Sequence, residues 1–86
     1  MNYFVYLLIS KTNKKIISYV GFASDLKNRI RLHNDGKGAK FTRGRKWILA
    51  YKKCYKSKSE ALKNEYLLKK DHKKRSEIKR KFLLNK

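Results

Sequence analysis

Residues 19–33 have the sequence YVGFASDLKNRIRLH, which predicts the end of a strand, a glycine turn and a helix in succession. The helix is predicted to begin near Ser24, because a Ser-Asp pair can accept hydrogen bonds from the free N–H groups of a first turn. At about 100° per residue, Arg29 and His33 lie on the same helix face as two apolar residues. Polar groups on a docking face are costly to bury unless they are paired or used. Arg29 and His33 are therefore candidate functional residues.

The charge of the chain is its most unusual property. There are 25 Lys and Arg residues against 6 Asp and Glu, which gives a formal net charge of +19. Such a density attracts polyanions, so a nucleic acid is the expected partner. A membrane-surface protein is the alternative, but its basic residues would be concentrated in one amphipathic helix or terminal block. Here they are spread along the chain, which disfavours a membrane partner.

Length and cysteine content set further limits. The 86 residues are expected to form one domain, residues 1–86, close to the size at which a single core is just sufficient. One cysteine, Cys54, excludes an intramolecular disulfide framework. The chain has no apolar run near the ~18 residues of a membrane span and no basic lead-in to a signal peptide. A cytoplasmic location is therefore expected.

Two strands are predicted near the amino terminus, over residues 3–9 (YFVYLLI) and 16–20 (IISYV). The first is apolar throughout, as in a central strand covered on both faces. The short polar connection makes the pair an antiparallel hairpin, which places Tyr6 and Tyr19 on paired strands. These are either ordinary sheet tyrosines or functional phenols. Gly21 then ends the second strand and allows a tight turn or the close approach of another backbone.

A third strand is predicted over residues 47–55 (WILAYKKCY), with Trp47, Leu49 and Tyr51 on one face. Residues 34–46 before it contain three of the four glycines and are predicted to form a mobile basic loop. The loop is not a P-loop, because it lacks the GxxxxGK[ST] pattern. Contact with nucleic acid phosphates is favoured over a plain solvated loop, and its candidate binding residues are Lys37, Lys40, Arg43 and Arg45.

Two helices are predicted after the third strand. Ser57 and Glu60 form a capping-box pattern at the start of the first. Its apolar stripe consists of Ala61, Leu62, Leu68 and, to the side, Tyr66. Glu65 projects near the middle of this stripe, where a carboxylate requires a metal, a cation or hydrogen-bond donors. The alternative for Glu65 is an ion pair with a neighbouring basic residue. Residues 71–86 resemble another basic helix, with Ile78 and Phe82 on its apolar side.

The polar residues singled out above suit phosphodiester hydrolysis. A divalent cation bound by a carboxylate stabilises charge on the phosphate and the leaving oxygen. An arginine beside the phosphate stabilises the transition state. A tyrosine can accept a proton from water if a cation or donor lowers its pKa, which is ordinarily ~10.

Several motifs in the chain match those of one enzyme family. They are Val5-Tyr6, Tyr19-Val20-Gly21, Arg29 ten residues after Tyr19, the run HNDGKGAKFTRG at residues 33–44, and SEALKNEY at residues 59–66. Over nearly its whole length the chain resembles the GIY-YIG nucleases, in particular their small, single-domain branch of uncharacterised and Slx1-like members. It departs from the family at Phe4, which stands in place of the glycine of the first motif, and at Phe22, which stands where some members have lysine.

The resemblance implies an α+β fold, a three-stranded antiparallel sheet flanked by helices in the order β-β-α-β-α-α. It also implies a metal-dependent DNA endonuclease, structure-directed rather than sequence-specific. Tyr6 and Tyr19 would lie near the attacking water, Arg29 would clamp the scissile phosphate, His33 would tune or exchange a proton, and Glu65 would bind one Mg²⁺ or Mn²⁺ ion. The alternative is a nucleic-acid-binding module with weak or no catalysis. Because the sequence shows no second domain for targeting, a protein partner that directs the nuclease to its substrate is a possible further requirement.

Overall fold

The computed structural model describes residues 2–12 and 15–84. Its elements follow in the order β1 (Tyr3–Lys11), β2 (Ile16–Ala23), α1 (Leu26–Asn34), a 3-10 turn (Lys40–Thr42), β3 (Ile48–Tyr55), α2 (Lys58–Lys70) and α3 (His72–Leu84). The strands form one antiparallel sheet in the order β2-β1-β3. The predicted α+β fold and its order β-β-α-β-α-α are therefore confirmed.

The central strand β1 divides the interior into two clusters, because successive side chains of a strand point to opposite faces. Val5, Leu7 and Ile9 pack with residues of α2 and α3 on one face. Tyr6 and Leu8 pack with residues of α1 on the other. The prediction of a central strand covered on both faces is thus confirmed.

Helix α1 is held at both ends by local hydrogen bonds. Asp25, rather than Ser24, is the N-cap, and its carboxylate accepts from the backbone N–H of Asn28 at 3.1 Å. At the other end Gly36 has a φ of +78°, and the N–H of Lys37 bonds to the carbonyl of Leu32 at 2.8 Å. This is the glycine-dependent helix ending that turns the chain into the loop after α1.

The third strand differs from its prediction. It begins at Ile48 instead of Trp47, and its pairing with β1 shifts by one residue between Leu7 and Leu8. This β-bulge changes the face to which the following side chains point. Trp47 and Leu49 therefore pack on the α1 side while Tyr51 packs on the α2 side, so the predicted shared face of these three residues is wrong.

Helix α2 begins as predicted, with the hydroxyl of Ser57 accepting from the N–H of Glu60 at 3.2 Å. Ala61 and Leu68 are buried, whereas Leu62 and Tyr66 are exposed. The predicted apolar stripe was therefore too wide, because the sheet covers only the narrow strip of the helix that directly faces it.

Helix α3 follows directly, with the carboxylate of Asp71 accepting from the N–H of Lys74 at 3.0 Å. Ile78 and Phe82 pack against the α2-side cluster, as predicted. Residues 85 and 86 of the predicted helix and residues 13 and 14 of the predicted polar turn lie outside the described residues. Within the described ranges, no helix has the length and apolar character needed to cross a membrane.

Candidate active site

The phenol of Tyr6 lies in the interior of the α1 side, where the residue is only 1% exposed. Tyr6 is paired with Gly21 on β2. A Cβ atom at residue 21 would lie 2.5 Å from the Tyr6 hydroxyl oxygen and 3.2 Å from Cε2 of Tyr19. Gly21 therefore neither ends the strand nor forms the predicted turn. Its missing side chain leaves the space that the Tyr6 phenol occupies.

His33 is completely buried and bonded through both ring nitrogens. Its Nε2 lies 2.9 Å from the hydroxyl oxygen of Tyr6, and its Nδ1 lies 2.9 Å from Oγ1 of Thr42. Gly38 packs against the ring so closely that any Cβ there would collide with Nδ1. His33 thus acts on the phenol from behind and is shielded from direct contact with a nucleic acid.

The electrostatic environment links Tyr6 to the other candidate residues. Burial raises the pKa of Tyr6 above its ordinary value, and a hydrogen bond and the positive charge of Arg29 partly oppose this rise. The charges of Tyr19 and Glu65 also raise the pKa of Tyr6. Burial and then the Arg29 charge lower the pKa of His33. At neutral pH the histidine is therefore neutral and able to accept a proton.

Tyr19 is half-buried on β2, within a group of aromatic rings. Its ring meets His33 edge-on, with centroids 5.0 Å apart, and stacks with Phe41 at 6.1 Å. The ring of Trp47 lies at 6.3 Å on the same side of the sheet. Within residues 2–12 and 15–84, the Tyr19 hydroxyl forms no hydrogen bond. Tyr19 is therefore fixed by its ring, and its hydroxyl remains available to an incoming group.

Arg29 is half-buried on α1, and its guanidinium lies 3.5 Å from the carbonyl oxygen of Gly38. It borders an open groove of about 620 Å³ beside β2, between α1 and the start of α2. Asn28 and Lys58 line the same groove. The groove thus offers a phosphate group access to the guanidinium that acts on Tyr6.

Glu65 lies in the α2 stripe between Ala61 and Leu68, and its side chain is 17% exposed. One carboxylate oxygen is 3.5 Å from Nζ of Lys69, so the ion pair considered as the alternative is present. Among the residues described, no three His, Cys, Asp or Glu side chains are grouped to hold a metal ion. A single carboxylate nevertheless fits Mg²⁺, which often keeps several waters and binds through one or two carboxylates and substrate phosphates.

The basic loop between α1 and β3 is less free than its composition suggests. Lys37, Lys40 and Arg43 are exposed and Arg45 is half-buried. The loop, predicted to be mobile, is held at two anchor points, the first of which is Thr42, a fully buried residue.

The second anchor of the loop joins its two ends. The side-chain amide of Asn34 donates to the carbonyl of Trp47 at 3.1 Å and accepts from the Trp47 N–H at 2.6 Å. The Trp47 indole N–H bonds to the carbonyl of Thr42 at 2.9 Å. The basic side chains are thus presented from a supported backbone.

Comparison with known proteins agrees with this arrangement. Residues 2–80 match the model of the GIY-YIG catalytic domain. The chain belongs to the GIY-YIG family. UPF0213 protein YazA of Bacillus subtilis is 38% identical over 78 residues, covering 90% of this chain and 76% of the relative. UPF0213 protein SERP0126 of Staphylococcus epidermidis is 46% identical over 68 residues, 78% of this chain and 79% of the relative.

A solved structure extends the comparison to the fold. The solution NMR structure of UPF0213 protein BH0048 from Bacillus halodurans has 38% sequence identity and a TM-score of 0.53. The match covers 91% of this chain and 82% of that chain. Membership among the small GIY-YIG proteins, predicted from the motifs, is therefore confirmed.

The fold explains why the two GIY-YIG motifs work as one unit. Tyr6 of the first motif is the pairing partner of Gly21 of the second. Three residues of the site escaped sequence reasoning: Gly38, Phe41 and Thr42. All three lie in the run HNDGKGAKFTRG, which attracted attention for its charges although its uncharged members contact His33 and Tyr19. The only sequence signal for them was their place in that family motif.

Proposed function

We propose that this GIY-YIG protein is a metal-dependent endonuclease that hydrolyses phosphodiester bonds in DNA. It acts in the cytoplasm as a single domain, residues 1–86, and responds to DNA structure rather than sequence. The observation that carries the proposal is the buried hydrogen bond between Tyr6 and His33, which lies within the electrostatic influence of Arg29 and Glu65. Buried titratable groups with shifted pKa values, such as this neutral histidine bonded to a phenol, are typical of catalytic sites, whereas DNA binding alone requires surface charge.

The roles of Tyr6 and His33 follow from their pKa values. Because burial raises the pKa of Tyr6, the phenol holds its proton at neutral pH. It can act as a base only if that proton leaves as another arrives. The neutral Nε2 of His33, at 2.9 Å, is the acceptor. Tyr19 lies over the same histidine and presents its hydroxyl beside the attacking water.

Arg29 and Glu65 act on the phosphate. The guanidinium of Arg29 binds the scissile phosphate in the groove beside β2 and stabilises its transition-state charge. Glu65 would hold one Mg²⁺ or Mn²⁺ ion, since a single carboxylate can suffice for such a cation. The ion supplies charge neutralisation at the phosphate and the leaving oxygen. Lys69 pairs with one oxygen of the Glu65 carboxylate at 3.5 Å, so it would compete with a cation for that oxygen.

DNA binding rests mainly on charge. With a formal charge of +19, the chain binds phosphates with release of counterions, so affinity should fall steeply with salt and depend little on sequence. Lys37, Lys40, Arg43 and Arg45 of the loop contact the DNA backbone. Phe41 adds a 57% exposed ring among these cations, suited to stacking on an unpaired base.

A second candidate function is a DNA-binding module with weak or no catalysis. Two observations favour it: Glu65 is already paired with Lys69, and Phe4 replaces the glycine of the first motif. The Tyr6–His33 bond and its coupling to Arg29 favour the enzyme.

Cleavage of supercoiled plasmid and of branched DNA, with Mg²⁺, Mn²⁺ or a chelator, separates the two functions. The wild type should cut in a metal-dependent way, and Glu65→Gln should abolish cutting while keeping metal-free DNA affinity. Glu77→Gln removes an exposed carboxylate from α3 and is the matched control, expected to cut normally. Binding without cutting under all conditions would leave the binding module as the function.

Thermal melting tests the metal ligand without DNA. Mn²⁺ should stabilise the wild type and Glu77→Gln by mass action but have little effect on Glu65→Gln. A full metal shift retained in Glu65→Gln would contradict the assignment of Glu65.

A further inference from the structure

Thr42 lies behind His33 and has no exposed surface. Its hydroxyl has three neighbours. It donates to the carbonyl oxygen of Ala39 at 2.9 Å, accepts from the N–H of the same residue at 3.2 Å, and lies 2.9 Å from Nδ1 of His33. A hydroxyl carries one proton, and a carbonyl oxygen carries none. The proton of Thr42 is therefore committed to Ala39, and the bond to His33 requires a proton on Nδ1.

We infer that Thr42 is a positioning residue that holds His33 in the Nδ1–H form, so that Nε2 receives the proton of Tyr6. The catalytic consequence rests on the proposed nuclease function, whereas the protonation of the ring does not. With its own proton directed at His33, the Tyr6 oxygen keeps its remaining lone pair free to act as an acceptor.

The opposite protonation of the ring conflicts with the observed contacts. A proton on Nε2 would leave the lone pair of Nδ1 facing an oxygen lone pair of Thr42 at 2.9 Å. Turning the Thr42 proton toward His33 would instead leave its oxygen 2.9 Å from the Ala39 carbonyl oxygen with no proton between them. Either arrangement places two acceptors in contact with no proton between them, which is costly.

Two neighbours support the same arrangement. Gly38 packs against Nδ1 without a side chain, so the ring can approach Thr42 closely. The indole N–H of Trp47 bonds to the carbonyl of Thr42 and holds the backbone in place.

In the proposed activation of the attacking water, every proton that leaves one group has a named acceptor. The Tyr6 oxygen takes a proton from the attacking water as its own proton passes to Nε2, which leaves hydroxide at the phosphate and an imidazolium at His33. Thr42 accepts from Nδ1–H before and after the transfer, so it stabilises both states without moving. The departing oxygen takes a proton from a solvent water, and the proton on His33 returns through Tyr6 to the resulting hydroxide, which restores neutral His33.

Nitrogen NMR of the full-length protein, labelled at histidine and free of metal and DNA, tests the protonation directly. The two ring nitrogens of a neutral histidine have widely separated shifts, so the spectrum reports which one carries hydrogen. We expect His33 to be in the Nδ1–H form near neutral pH. Finding the Nε2–H form in the wild type would overturn the proposal, whether or not the protein cuts DNA.

Substitutions at Thr42 test the cause. Thr42→Ser keeps the acceptor and should keep the Nδ1–H form with cleavage within about threefold of the wild type. Thr42→Val removes it and should shift the ring toward Nε2–H, with cleavage about a hundredfold slower and DNA affinity retained. A Thr42→Val protein that keeps the Nδ1–H form and full cleavage would contradict a positioning role.

A comparison of two further variants controls for loss of folding, since valine also leaves the Ala39 N–H without its partner, although the Ala39 carbonyl keeps its bond from the N–H of residue 42. Thr42→Cys is close in size to Thr42→Ser but offers sulfur, a weak acceptor. The cysteine variant should have a smaller Nδ1–H population and slower cleavage than the serine variant. Equal populations and rates in these two variants would exclude the hydroxyl as the determinant.

Discussion

The two faces of the sheet are built on opposite principles, although they share the central strand β1. On the α2 side, Val5, Leu7 and Ile9 meet Ala61 and Leu68 in an apolar cluster. On the α1 side, the same strand contributes Tyr6 to an interior that contains His33 and Thr42, both fully buried.

The difference shows how a small protein separates stability from chemistry. An apolar cluster tolerates adjustment as long as volume is kept, whereas a buried polar group depends on each hydrogen-bond partner. With 86 residues and one sheet, the chain has only two sheet faces on which to place an apolar cluster and a polar site. Apart from Glu65, a polar residue on α2, predicted effects therefore differ mainly by face: changes on the α1 side should act chiefly on cleavage and DNA binding, and changes in the apolar cluster on the α2 side should act chiefly on unfolding.

Arg29→Ala should produce the largest effect. Loss of a single transition-state donor costs roughly 3 kcal/mol, or about a hundredfold in cleavage rate, while DNA affinity should change little because it rests on many phosphate contacts. Arg31→Ala is the control, because Arg31 is exposed on the same helix and paired with Asp35 at 3.2 Å. Cleavage and affinity are measured for both variants. Equal loss of the two quantities in Arg29→Ala would mean that this residue only binds.

Phe41→Ala should lower affinity for DNA that contains unpaired bases by about tenfold, the effect of losing one aromatic stacking contact. Affinity for a continuous duplex should change less. Leu67→Ala removes an exposed apolar side chain from α2, on the other side of the molecule, and serves as control. Fluorescence titrations with single-stranded and duplex oligonucleotides measure both. The same loss in both ligands would indicate that Phe41 supports the loop instead of contacting a base.

Ile9→Val tests the α2 side. Removing one methylene from a residue that is 1% exposed should lower the free energy of unfolding by about 1 kcal/mol. Cleavage per folded molecule should be unchanged. Urea unfolding and activity assays on the same preparation decide, and a fall in the specific rate would show that the two faces are not independent.

Acid should lower the free energy of unfolding because of His33 on the α1 side, and this should be the smallest of the predicted effects. The pKa of His33 is lowered in the folded protein, so below its ordinary value of 6.5 the unfolded chain binds a proton that the folded protein does not. Stability should therefore fall as the pH drops from about 6.5 toward 5. His33→Gln should reduce this slope, and His72→Gln, at an exposed histidine, should preserve it. Identical slopes in the two variants would exclude His33 as the source.

The sequence was sufficient for the elements and for the family, because both rest on local patterns. The apolar run of β1, the cap at Ser57 and the spacing from Tyr19 to Glu65 are each visible within a short stretch. The inward position of Glu65 also followed from helical periodicity, since Ala61 and Leu68 on either side of it are buried.

Features that depend on contacts between distant elements could not be predicted. The β-bulge that moves Tyr51 to the α2 side arises from pairing with β1. The residues of β3 contain no pattern that predicts it. Gly21 was recognised as constrained, but the cause is a phenol from the neighbouring strand. Thr42 was overlooked because a threonine in a basic loop gives no sign that it will be buried against a histidine.

The position of β1 between two other strands also concerns the motions of the site. Exchange of backbone amide hydrogens is slowest where opening requires global unfolding, as in a central strand, and faster at sheet edges that open locally. Tyr6 is on the central strand and Tyr19 on the edge strand β2. The two phenols of one site thus belong to parts of the sheet with unequal protection. We therefore expect the backbone amide of Tyr6 to exchange only on global unfolding and that of Tyr19 to exchange sooner, through local opening of β2.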